Sequence, residues 1–139
     1  MGAPNSPWLA GAAEAAGLPC ETYVDGMAVQ VDAATVYEPD VLLRCGPPLR
    51  DDTLAVTDPL IVVEVLSPSS RARDTGATLA DYFRLPPVRH YLIVRTEDRT
   101  IIHHARNAAG TILTRILRDG SRFLDPPGIT LSGLFPPAA

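Results

Sequence analysis

The chain has 139 residues, 46% of them hydrophobic, with 16 acids against 12 basic residues that are all arginine, for a formal charge of −4. A chain of this length buries about two-thirds of the surface its unfolded form exposes, enough for one compact domain over residues 1–139. The negative balance excludes the global basic character of many non-specific nucleic-acid binders. The absence of lysine excludes P-loop phosphate binding and Schiff-base chemistry.

No stretch approaches the roughly 18 uninterrupted apolar residues of a spanning helix, and the start lacks a basic leader region, so the protein is expected to be soluble, with no membrane contact. Charge is unevenly spread: six acids and no arginine precede Arg44. Any positive face therefore belongs to the later segment. Cys20 and Cys45 show no zinc-ligand spacing and read as buried free thiols in a reducing cytoplasm.

Ser6-Pro7, the alanines that follow and Gly17 predict a short first helix with Ser6 as its N-cap. Strands are predicted at Glu21 to Val24, Ala28 to Val31 and Thr35 to Leu43, the first two forming a hairpin around Asp25-Gly26. Gly46 to Asp58, rich in Pro and Asp, reads as a loop. Leu60 to Leu66 ("LIVVEVL") is apolar enough for a central strand, with a polar loop from Ser67 to Arg73.

Asp74 then caps a helix from Thr75 to Leu85, stopped by Pro86-Pro87, with Tyr82 and Phe83 in the core. Val88 to Val94 and Thr100 to Ala105 form a hairpin, and the β-branched content of Thr111 to Leu117 favours a further strand over a helix. Pro126-Pro127-Gly128 turns the chain into a tail, Leu131 to Phe135, with a short closing helix.

Glu64 carries the chemistry. A lone carboxylate inside an apolar run costs several kcal/mol to desolvate unless it is protonated, paired or bound to a cation. Asp40, after Pro39, is its candidate partner; the competing structural roles are a strand-end residue for Asp40 and a hydrogen-bonded acid for Glu64. His103 and His104 are adjacent on a strand, point to opposite faces and cannot jointly hold a metal there, one being placed at the surface and one in the core. Arg71 and Arg73 are the preferred phosphate contacts, with a solvated loop as their competing role. Their guanidinium groups pair with phosphate but do not act as general bases.

The strings "YEPDVLL" (Tyr37 to Leu43), "VVEVLSPSSRARD" (Val62 to Asp74), "DYFRL" (Asp81 to Leu85) and "YLIVRTEDRTIIHH" (Tyr91 to His104) resemble the PD-(D/E)XK nuclease superfamily, and within it the Uma-two group of bacterial restriction endonucleases. The resemblance implies an α/β restriction-endonuclease-like domain, a mixed sheet flanked by helices, acting as a magnesium-dependent DNA endonuclease, with manganese as an alternative metal. By that resemblance Asp40, Glu64 and the main-chain carbonyl of Val65 are the metal ligands. A homodimer would let both DNA strands be engaged.

The superfamily lysine lies two residues after the acid, here Leu66; in the resembled group it lies on the next helix, here Thr78. Neither side chain carries the positive charge that orients the attacking water. Relatives also carry more upstream chain with an acid near the site, a role left to Glu14, to Glu21 or to neither. The competing function is a catalytically silent binding or dimerisation module that keeps the fold.

Overall fold

The computed structural model describes residues 17–67, 75–118 and 122–131. The expected first helix, the Asp74 cap and the closing helix lie outside these residues, as do Arg71, Arg73 and Glu14.

Six strands form the principal sheet: β1 (Cys20–Val24), β4 (Val41–Cys45), β6 (Ile61–Leu66), β7 (His90–Arg95), β8 (Thr100–Arg106) and β9 (Ile112–Arg118), in that spatial order. The β6 and β7 pair is parallel and every other pair antiparallel, so the sheet is mixed. A parallel pair needs a crossover. It contains α1 (Thr75–Tyr82), which is the described helix.

Three short strands, β3 (Thr35–Tyr37), β2 (Ala28–Asp32) and β5 (Ala55–Val56), make a second sheet, and β10 (Phe123–Leu124) pairs with β11 (Ile129–Thr130) as a small hairpin.

Alternation along the central strands sends side chains into two cores. Leu43, Ile61, Val63, Leu92, Val94 and Ile101 pack on one face, covered by Leu124, Ile129 and Leu131 from the terminal hairpin. Leu42, Val62, Tyr91 and Ile93 pack on the other, against Tyr82, Phe83 and Leu85 of the α1 region and Val29 and Val56 of the small sheet. Burial on both faces explains why β6 and β7 read as near-continuous apolar runs. The expectation of flanking helices is thereby corrected. Among the described residues one face carries a single helix and a small sheet, and the other a β-hairpin.

The strand from Thr111 to Leu117 forms, as does the hairpin of β7 and β8. Three other expectations change. Asp25 and Gly26 do adopt the left-handed turn conformation, with φ of 44° and 96°. Yet the strands beside them do not pair: β1 joins β4, while β2 joins β3 and β5. The predicted strand from Thr35 to Leu43 is broken at Glu38-Pro39-Asp40, where proline has no N–H to give a ladder. Cys20 and Cys45 stand directly opposite in the register of β1 and β4, with Cα atoms 4.0 Å apart, and are joined as a disulfide rather than held as thiols. This removes the thiol-based argument for a reducing compartment.

His103 and His104 do face opposite sides, but both are buried, because each face of the sheet is covered. His104 Nδ1 meets the Thr114 hydroxyl at 2.7 Å, and His103 Nε2 meets His90 Nδ1 at 2.9 Å. Burial pushes His90 down to about 4 and His103 down to about 3, the latter helped by the neighbouring His90 and by Arg122. No described helix is long and apolar enough to cross a membrane.

The histidine pair makes stability depend on pH. Above about 6.5, the ordinary histidine value, the two rings are neutral in folded and unfolded chains alike. As pH falls from there through about 4 and then about 3, the unfolded chain takes up protons that the native pair resists, so stability is lost on the acid side. Urea unfolding followed between pH 7 and pH 4, an interval of about three units over which ordinary histidines charge, will show this fall. His103→Gln, whose amide can still donate to His90 Nδ1, will flatten it.

Candidate metal and phosphate site

Two neighbouring strands deliver the two carboxylates. In the antiparallel register of β4 and β6, Val41 faces Val63, so continuing by one residue sets Asp40 opposite Glu64. Alternation puts both on one face: Leu42 and Val62 belong to the core under α1, and Asp40 and Glu64 are each two positions away from one of them. Asp40 is half-buried and Glu64 is 3% exposed.

Pro39 ends the preceding pairing, and the Asp40 carbonyl accepts the N–H of Asp25 at 3.1 Å, which anchors the chain where it enters β4. The Asp40 Oδ2 accepts the Val65 N–H at 2.7 Å. A charged acceptor at this distance makes one of the stronger hydrogen bonds in a fold.

That bond also orients Val65. In a strand the N–H and C=O of one residue point to the same side, so the Val65 carbonyl is turned toward Asp40. The next carbonyl, of Leu66, points the other way and accepts the Thr96 N–H at 3.1 Å and the Thr96 hydroxyl at 3.3 Å. Two carboxylates and a main-chain carbonyl, all hard oxygen donors on one edge, suit Mg2+, which is held by one or two carboxylates and keeps several waters. Among the described residues no group of three or more His, Cys, Asp or Glu side chains could hold a metal.

The two positions at which the resemblance leads one to expect lysine, Leu66 and Thr78, hold neutral side chains. Leu66 is half-buried against the core beneath α1. Thr78 is 6% exposed, and its hydroxyl lies 2.9 Å from that of Tyr91. Tyr91, which sequence reasoning did not single out, is fully buried and stacks on His104 at 5.8 Å between ring centroids. Its signal was available only as a tyrosine at the start of an apolar strand. Tyr37 and Asp81 open two of the strings that carry the resemblance but had no individual role; the Tyr37 hydroxyl donates to the Asp81 carboxylate and ties α1 to the chain just ahead of Pro39. Glu21 is exposed and pairs in register with Arg44, at the end of β1 remote from Asp40, so it does not join the acids.

A family model described as "Putative restriction endonuclease" (Uma2) matches residues 7–134. The uncharacterized protein slr1290 of Synechocystis sp. is 35% identical over 92 residues, which is 66% of this chain and 48% of that protein. The chain thus spans about half the length of this curated relative. The crystal structure of "a putative nuclease belonging to DUF820" from Anabaena variabilis matches with a TM-score of 0.58 at 11% identity, over 82% of this chain and 63% of that one. At that identity the likeness is one of fold.

The Asp40 to Val65 bond predicts a split between two substitutions. Asp40→Ala removes the acceptor from a main-chain N–H and will lower unfolding free energy by about 1–2 kcal/mol. Asp40→Asn keeps a carbonyl oxygen in place and will cost less than half of that, while removing the charge. Chemical denaturation of both variants measures the difference.

Proposed function

Because the chain belongs to the Uma2 family described as "Putative restriction endonuclease", we propose that Asp40, Glu64 and the Val65 carbonyl hold Mg2+ or Mn2+ and that the protein hydrolyses DNA phosphodiesters slowly, for want of the lysine. The observation that carries this reading is the fixed position of the Asp40 carboxylate. Its bond to the Val65 N–H holds it beside Glu64 on the same face, with the Val65 carbonyl turned toward the Asp40 side.

A divalent cation bound there would lower the pKa of a coordinated water and offset the charge that builds on phosphate during in-line attack. The chain's own residues supply the rest. Asp40 and Glu64 provide the negative charge that attracts the cation, and the apolar surroundings of Glu64 strengthen that attraction by lowering the local dielectric. Arg71 and Arg73 are assigned the phosphate contacts, where a guanidinium can grip two oxygens at once but cannot take a proton from water. A homodimer would present two such sites to the two strands of a duplex.

One observation favours the silent module instead. The helix position that carries lysine in the resembled group is occupied by a buried hydroxyl engaged with Tyr91. A neutral pair there neither orients water nor stabilises a charged phosphorus centre, and one such donor is worth about a hundredfold in rate or more.

Incubation of supercoiled plasmid with the protein and Mg2+ or Mn2+ will give nicked and linear forms that vanish in Asp40→Ala and in Glu64→Ala. No cleavage with either metal over long incubation would leave the silent module. Thr78→Lys will raise the rate roughly tenfold. If its melting temperature shows that the buried lysine is not tolerated, Leu66→Lys serves as the second test, since it places the charge at the superfamily's usual position.

A further inference from the structure

The face of the sheet opposite the carboxylates holds a cavity of about 330 Å³, bounded by the starts of β7 and β10 and by β8 and β9. Its position separates it from the candidate metal site. His90 stands level with Ile61 in the β6 and β7 register and Glu64 with Ile93, three residues or about 10 Å further along. His90 and His103 alternate with Leu92 and Ile101 of the core beneath the terminal hairpin, not with the core beneath α1.

The cavity is basic. Arg89, Arg115 and Arg122 line it against one acid, Asp125. Arg106 also borders it; its Nη2 is engaged by the Phe83 carbonyl at 2.7 Å and its guanidinium lies over the Phe83 ring, while its Nε has no partner among the described residues. Three buried nitrogens of residues lining this site have no hydrogen-bond partner among the described residues: Arg106 Nε, Arg122 Nε and His103 Nδ1. His103 is 1% exposed. Leaving a buried polar atom unsatisfied is costly, so such atoms call for an absent partner.

The tautomers say what His103 lacks. Pro126 offers a carbonyl, which only accepts, at 2.7 Å from His90 Nε2, so that nitrogen carries the hydrogen. The neutral His90 ring then accepts at Nδ1, and the donor at 2.9 Å is His103 Nε2–H. His103 Nδ1 is left with a lone pair. Burial keeps both rings neutral, holding them to about 4 and about 3. The missing partner is a group that brings a hydrogen among arginines; a phosphomonoester does so in its singly ionised form, which is populated below its second pKa of about 6, and its other oxygens remain acceptors. Its remaining oxygens meet guanidinium donors.

The other wall is apolar. Phe123, 56% exposed, and Leu113, 44% exposed, border the same cavity. An aromatic ring left open to solvent beside a phosphate-binding rim suits a stacked base. The volume is at the lower end of small-ligand sites.

We propose that this cavity binds a nucleoside phosphomonoester, with its phosphate on Arg115, Arg122 and His103 and its base against Phe123. The site is independent of the metal reading above and holds whether or not the protein cleaves DNA.

Adenosine 5′-monophosphate titrated into the full chain, followed by calorimetry, will bind saturably, and adenosine and inorganic phosphate will each bind roughly tenfold more weakly or less. Arg115→Gln and Phe123→Ala, both at exposed positions and so harmless to the fold, will each weaken the nucleotide roughly tenfold. Asp40→Ala with Glu64→Ala will leave its affinity unchanged. The proposal is overturned by no saturable binding up to millimolar nucleotide, by adenosine binding as tightly as its phosphate, by wild-type affinity in Arg115→Gln, or by loss of binding in the carboxylate variants. Competition with an oligonucleotide carrying either a 5′-phosphate or a 5′-hydroxyl names the source. Displacement by the phosphorylated strand alone assigns a DNA end, and failure of both assigns a free mononucleotide; either result upholds the site.

Discussion

Glu64 is a carboxylate, 3% exposed, on a strand otherwise built of isoleucine, valine and leucine. Placing a charge there costs several kcal/mol unless neighbouring groups compensate, so the strands beside it are constrained by chemistry as well as by packing. β6 must be covered on both faces to serve as the centre of the sheet, yet open enough at its carboxyl end for Asp40 to reach the Val65 N–H. The break at Pro39 satisfies both demands. It ends the pairing of β3 within the small sheet and starts β4 in the large one, so that Asp40 stands one residue ahead of the ladder and offers a side chain where a main-chain carbonyl would otherwise sit.

The sequence made the centre of the fold readable and its edges less so. "LIVVEVL" and "YLIV" are too apolar to be half-exposed, which is why β6 and β7 were legible as the buried core. Asp25-Gly26 shows the limit of local signals. The dipeptide takes the left-handed conformation its residue types favour, but which strands pair is decided by partners far along the chain: Cys45 and Arg44 of β4 for β1, and Tyr37 and Val56 for β2. The expectation that one histidine of the His103-His104 pair lies at the surface failed for the same reason. Period-two alternation sets His103 opposite His104 in direction, but only the distant terminal hairpin, with Leu124 and Ile129, makes its face an interior. The two acids of the candidate site were legible because a carboxylate in an apolar run is locally anomalous; Tyr91, whose role depends on the helix above it, was not.

The proposed lysine vacancy at Thr78 is more than a missing side chain. A threonine on an exposed helix face would leave space for water or for a reaching arginine, whereas Thr78 is buried and its hydroxyl faces that of Tyr91, itself packed against Tyr82 and His104. The position has been absorbed into the core. Restoring a charge there requires desolvating an ammonium group as well as breaking that hydroxyl contact, whereas Leu66, half-buried at the end of β6, carries a smaller penalty. The two lysine positions of related nucleases are thus unequal in this chain.

Charge is divided by the sheet itself. The acids that could hold a cation lie on the face beneath α1, and the arginines around His103 lie on the face beneath the terminal hairpin, toward the other end of β7. A single phosphate cannot touch both. If the two faces act on one polymer, the contact made by Arg115 and Arg122 must be with a nucleotide remote from the bond at Asp40 and Glu64, separated by the thickness of a sheet and by about three residues of strand. The neutral His90 and His103 pair sharpens the difference in chemistry. The carboxylate face rewards a cation, whereas the arginine face rewards an anion that brings its own proton, and no change in pH improves both at once: acidification neutralises carboxylates while it supplies the proton that His103 Nδ1 lacks.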